Sequence, residues 1–107
     1  SLTTLGAVAR GDALDSRLAL KLSVQNDLYD ISLSNQGNLD SAWPERLTLA
    51  VQGCDGADAL AGYALQQRPD LLTFTRLRDG RIPAGGQRAM GWARCAHIDQ
   101  GGSNVDP

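Results

Sequence analysis

The chain has 107 residues, 42% hydrophobic and 21% charged, with a formal net charge of -2. That length holds one domain with one core, since domains of this size bury roughly two-thirds of their unfolded surface. The composition excludes wholesale disorder, and the near-neutral balance excludes a field that would draw the chain onto nucleic acid or anionic lipid.

No apolar run approaches the length needed to cross a bilayer, so no membrane insertion is expected. Lys21 is the only lysine, and the remaining cations are arginines. This bias reads as a GC-rich genome rather than as a binding signal. The chain starts at Ser1 rather than Met, as a processed protein or an excised domain would. One Phe, two Tyr and two Trp leave the core to Leu, Val, Ile and Ala.

Leu2, Leu5 and Val8 fit a short first strand, followed by a turn over Arg10-Gly-Asp-Ala-Leu-Asp15. Leu18, Leu20, Leu22 and Val24 then alternate with Ala19, Lys21 and Ser23, the period of a half-buried strand. Gln25-Asn-Asp27 reads as a turn into a second alternating run, Tyr29, Ile31 and Leu33, so the two make a hairpin. Asn35-Gln-Gly37 is expected to end that strand, with glycine supplying a positive φ.

A loop with Trp43 and Pro44 leads to Leu47, Leu49 and Val51. Cys54-Asp-Gly-Ala-Asp58 looks like a turn. Residues 59–67 have helix-forming residues, but Gly62 and Pro69 favour a bridging strand around residues 63–66. Residues 71–78 read as a strand closed by the hairpin signal Asp79-Gly80. Pro83-Ala-Gly-Gly86 makes a second tight connection into a last strand over residues 87–96, with Met90 and Trp92 on one face. The tail over residues 99–107 lacks apolar anchors and is expected to be mobile, leaving residues 1–98 as the domain.

About six or seven short strands with turn signals between them point to an all-β fold, a small antiparallel sandwich. The long stretch between Val51 and Leu71 suits a crossover between two sheets. Cys54 and Cys95 match no zinc, redox or haem spacing. An even count in a small β-domain points to a disulfide, which would close a loop of about 42 residues and contribute roughly 4 kcal/mol. Two buried free thiols are the alternative. The disulfide would place the domain in an oxidising compartment, a bacterial periplasm or cell surface.

The pattern Ile31-x-Leu33-x-Asn35-x-Gly37, Trp43-Pro44, Leu47-x-Leu49-x-Val51, Ile82-Pro-Ala-Gly-Gly86 and Met90-x-Trp92 resembles bacterial immunoglobulin-like accessory domains, across residues 16–96. The resemblance implies an Ig-like β-sandwich. A narrower likeness rests on Gly53-Cys54, Gly62-Tyr63 and Gly91-Trp-Ala-Arg-Cys95. These look like the C-terminal domain of an uncharacterised bacterial family of predicted exported proteins, from which no activity carries over. One departure from antibody-type domains is plain. Trp92 lies three residues before Cys95 on one strand, so their side chains point to opposite faces. The disulfide would then tie a loop to a sheet rather than pin two sheets.

Candidate sites are few. His97 is the only histidine, and no nucleophile elbow accompanies it; an exposed strand-end role is expected. Asp55 and Asp58, like Asp12 and Asp15, fit turns better than calcium ligation, which takes about six to eight oxygens. Arg76, Arg78 and Arg81 flank the Asp79-Gly80 turn, with Arg88 and Arg94 on the next strand. Together they could fork onto an anion or a carboxylated sugar, though a solvated face with weak ion pairs is the simpler reading. Among the rings, Trp92 is expected in the core beside Met90. Trp43 is the best candidate among the rings for an exposed contact, though packing over the sandwich end is the favoured reading for it.

These readings converge on a non-catalytic accessory domain of an exported bacterial protein, needing no cofactor or metal. Its partners would be another protein or an adjacent domain of the same polypeptide, not nucleic acid. The competing reading is a carbohydrate-binding module with Trp43 and Tyr63 as stacking residues and Arg76 and Arg78 at the ligand. A hydrolase using His97 is the third.

Overall fold

The computed structural model describes residues 17–98 in full and residues 3–7 as backbone; the expectations for residues 8–16 and for the tail at 99–107 lie outside the described residues. The strands are β1 (Thr3–Ala7), β2 (Leu18–Gln25), β3 (Leu28–Asn35), β4 (Ser41–Ala42), β5 (Arg46–Ala59), β6 (Tyr63–Gln67), β7 (Leu71–Arg76), β8 (Arg81–Ile82) and β9 (Gln87–Ile98). The main ribbon of strands runs β1-β2-β3-β9-β5-β7-β6, every pairing antiparallel, and β4 pairs with β8 apart from it. The all-β antiparallel sandwich expected from alternation is the fold.

The β2–β3 hairpin closes at Gln25 opposite Leu28. Asn26 sits at φ 59 in its turn, a left-handed conformation that asparagine tolerates better than most side chains. Leu20, Leu22, Ile31 and Leu33 all turn inward and are buried, as their period-2 spacing requires.

β5 makes the two layers. Its first part, Arg46 to Ala50, pairs with β7, and its second, Val51 to Ala59, pairs with β9. One layer is therefore β1-β2-β3-β9-β5 and the other β5-β7-β6. Gly53, at φ 64, and a register shift between Cys54 and Gly56 lie just past the handover. They bend the strand so that its two ends return to the same end of the molecule. There Tyr63 pairs with Arg76, whose amide donates to the Glu45 carbonyl at 2.9 Å. The turn expected over residues 54–58 is thus a strand. Its glycines and aspartates serve a corner and a bulge rather than a chain reversal.

Between the layers, Leu47, Leu49, Leu72 and Phe74 meet Leu20, Leu22, Ile31, Leu33 and Met90 in one core, each such side chain contributing about 1.5–3 kcal/mol by burial. Phe74 crosses from β7 to β9. A Cβ on Gly91 would lie 3.0 Å from its Cε2 and would overlap the Asp58 carbonyl oxygen, so only glycine fits there.

Two turn readings change and one holds. Asp79-Gly80 does not close a hairpin: β7 stops at Arg76, and β8 pairs with β4 instead of β7. Gly37 is not among the positive-φ glycines; its site is set by the Arg17 side chain, whose Cγ would be 2.8 Å from an added Cβ. Pro83-Ala-Gly-Gly86 is the tight turn expected, with the Gly86 amide donating to Pro83 O at 2.8 Å and Gly85 at φ 76.

Asn35 ties that turn to the core. It is 1% exposed, and every polar atom of its amide group is engaged. Nδ2 donates to Leu39 O and Ile82 O at 2.8 Å each, and Oδ1 accepts from the Gly37 amide at 3.0 Å. Its backbone pairs with the turn through Gly86 O and the Gly85 amide.

Candidate functional site

The sequence places Trp43, Tyr63, Arg76 and Arg78 as possible ligand contacts, and the fold does bring them together, at the end of the sandwich where β5 begins. Trp43 follows β4, and its amide donates to Gly80 O at 2.9 Å. Arg76, half-buried at the end of β7, donates from Nη1 to Trp43 O at 2.9 Å and faces Asp79 at 3.6 Å. Tyr63 opens β6 with its ring 5.8 Å from the Trp43 ring, and its hydroxyl donates to Pro44 O at 2.5 Å. Two guanidinium carbons lie near the centre of the indole, Arg78 at 4.7 Å and Arg88 at 4.3 Å, within cation–π range.

These rings do not form an exposed platform. Trp43 is 7% exposed and Tyr63 5%, so Trp43 takes the packing role over the sandwich end, as an internal plug, rather than that of an exposed contact. Glycines make room for it. A Cβ on Gly62 would lie 2.7 Å from Trp43 Cζ3 and 3.0 Å from Arg88 Nη2, and one on Gly80 would run into the indole itself. Burial pushes the Tyr63 phenol up from 10.0 to about 12, against the opposing pull of Arg76 and Arg88. Arg88 bonds Ala61 O through Nη2, while its Nε is buried with no partner among the described residues. The arginines that could have gathered into one anion-binding face are divided, and two of them form the weak ion pairs expected, Arg76 with Asp79 and Arg94 with Asp27. Arg76 and Arg88 serve the plug, Arg94 lies 3.8 Å from Asp27 on the far part of β9, and Arg81 is exposed on β8.

Around this end stand exposed apolar side chains. Leu60 is 44% exposed and Leu77 66%. The Leu77 amide donates to Gly62 O at 2.8 Å, which sets the two leucine-bearing loops side by side.

Trp92 is where the sequence reading fails most clearly. It was expected in the core beside Met90, yet Met90 is fully buried and Trp92 is exposed. The cause is a bulge. Ile31 pairs with Gly91 and Ser32 with Ala89, leaving Met90 as the extra residue. Met90 and Gly91 both turn inward, and alternation restarts with the opposite phase. Trp92 then faces outward and Cys95 inward, as their odd spacing required. On the outer face Trp92 stands in register between Asp30 of β3 and Asp58 of β5.

Cys54 and Cys95 face each other in the β5–β9 ladder and are bonded. The disulfide joins neighbouring strands of one layer, so the expected loop-to-sheet tie becomes a strand-to-strand staple. His97 is exposed opposite Gln52. Asp55 and Asp58 lie in β5 rather than in a turn. Among the described residues, no cluster of three metal-ligating side chains occurs.

A bent corner strand, a disulfide within one layer and an aromatic plug define a small stapled β-sandwich domain. Its residues 18–96 match a family model described as Domain of unknown function (DUF8456), and the chain belongs to that family. No curated protein matches it. A solved structure similar to it is the carbohydrate-binding module CBM3b from the cellulosomal cellobiohydrolase 9A from Clostridium thermocellum, at 12% identity and a TM-score of 0.41, over 94% of this chain and 75% of that one. At those values the likeness is distant.

Proposed function

We propose that this chain is a non-catalytic accessory domain of an exported bacterial protein, working through contact with a protein partner or with an adjacent domain of its own polypeptide. One observation carries the reading. The end of the sandwich spends its polar groups internally while presenting Leu60 and Leu77 to solvent. Trp43, Tyr63 and Arg76 fix the loops, and the loops display the leucines. Exposed apolar groups on a rigid base, rimmed by Arg78 and Asp79, favour a protein contact over a small-molecule pocket. The disulfide supports a periplasmic or extracellular setting, where such bonds persist.

The test is a photo-reactive amino acid placed at Leu77 in the parent protein, irradiated in its native envelope. The expected product is a discrete cross-link, within the polypeptide or to one partner, absent when the probe sits at Ala96 on β9. Equal labelling from both positions would overturn the proposal.

A carbohydrate-binding role cannot use Trp43 and Tyr63 as stacking residues, because both are buried. Only the exposed ring of Trp92 favours it.

A further inference from the structure

We infer that Trp92, with Asp30 and Asp58 beside it, is a stacking site for one pyranose ring of a neutral glycan. The site lies on the outer face of the β9 layer, next to the leucine-bearing end, since Asp58 pairs with Trp92 two residues before Leu60. The bulge at Met90 is what turns the indole outward.

The ring leans over Gly56. A Cβ there would lie 3.6 Å from both Cζ3 and Cη2 of Trp92. With no side chain beneath it, the indole lies over Gly56 of β5 and is 36% exposed. A flat aromatic face of this kind suits the C–H face of a sugar ring, whose weakly positive hydrogens meet the negative π surface.

The flanking chemistry selects the ligand. Asp30 and Asp58 pair with Trp92 from the two neighbouring strands, so an aspartate on the same face flanks it on either side, with the backbones about 5 Å away at the usual strand spacing. Equatorial hydroxyls of a stacked pyranose radiate to both sides and donate to such acceptors. The Ala59 amide donates to Asp58 Oδ1 at 2.8 Å, orienting the carboxylate and leaving Oδ2 to a ligand. A protein partner is a poorer fit, since interface cores are depleted in carboxylates.

The experiment uses the oxidised, disulfide-bonded protein on an array of neutral and charged oligosaccharides and on insoluble cellulose, chitin and xylan. Retention on a neutral glycan is expected, with the Trp92 indole N–H resonance shifting on titration and that of Trp43 staying still. Trp92→Ala should weaken binding about tenfold or more, with Trp92→Phe retaining part of it and Asp58→Asn and Asp30→Asn each weakening it. Thermal melts of every variant show that the fold is kept. Retention on no glycan, retention only of charged ones, or binding that survives Trp92→Ala would each overturn the site. If Trp92→Ala lowers the melting temperature and the parent protein binds nothing, the ring serves only to cover Gly56. Neither result decides cross-linking from Leu77, which reads the loops rather than the outer face of β9.

Discussion

The indole of Trp43 lies directly on Gly80: an added Cβ would run into Cδ2, Cε2 and Cζ2, and the Gly80 carbonyl accepts the Trp43 amide. A methyl group there must displace a ring held by Tyr63, Arg78 and Arg88. Gly80→Ala is therefore expected to cost about 2–3 kcal/mol by overpacking, measured by urea unfolding. Gly85 supplies the control. Its Cβ would meet nothing within 4 Å, and only its φ of 76 resists a side chain, so Gly85→Ala should cost about 1 kcal/mol. Equal losses at the two sites would show that the plug yields easily.

Asn35 gives a second prediction. Asn35→Ala leaves Leu39 O, Ile82 O and the Gly37 amide without their side-chain partner, in a position closed to water. A loss of about 3 kcal/mol is expected. Amide exchange should rise first at Gly37 and around the Pro83–Gly86 turn. Asn35→Asp should be worse at neutral pH than at low pH, because a buried carboxylate facing two carbonyl oxygens is stabilised only when protonated. A variant equally stable across that range would remove the amide's role as a donor.

Alternation made the paired strands legible, because Leu20, Leu22, Ile31, Leu33, Leu47 and Leu49 each sit at an inward phase that nothing interrupts. It failed where one residue is inserted. Nothing in Ala89-Met-Gly-Trp92 marks Met90 as a bulge, and one extra residue exchanges core for solvent. Turn chemistry misled at Gly53–Asp58 for a related reason. Glycine and aspartate announce a departure from regular geometry, not whether the chain reverses or merely bends. Packing of Trp43 over the sandwich end was legible, but its fit was not, because it depends on Gly62 and Gly80, remote positions whose missing side chains make the space. Asn35 and Gly37 carry the local signature of a strand stop, whereas the long-range bond to Ile82 O has none.

The disulfide bridges positions 41 residues apart. Under denaturing conditions without reductant, no thiol should react, and two should appear after reduction. The reduced protein, or Cys54→Ser with Cys95→Ser, is expected to lose roughly 4 kcal/mol through the freed unfolded chain. The β5–β9 ladder around the bridge should survive in the reduced fold, since residues on both sides of it keep their register pairs. Two reactive thiols in the unreduced protein would contradict the staple and remove the main support for an oxidising compartment.

Tyr63 links the plug to alkaline stability. Its phenol is raised by burial from 10.0 to about 12, and as a donor to Pro44 O it must keep its proton. The unfolded chain gives up that proton first as pH rises. The contribution is thus fully present below about pH 10 and is lost as pH climbs through about 12, by roughly 3 kcal/mol at most. Stability measured by urea titration across this window should fall with pH. Tyr63→Phe should remove this group's share of the slope while lowering stability by about 1 kcal/mol below pH 10, the value of a lost hydrogen bond. Phenolate absorbance should show one tyrosine titrating only as the fold gives way. An unchanged slope in Tyr63→Phe would mean that the hydroxyl opens to water before the sandwich does.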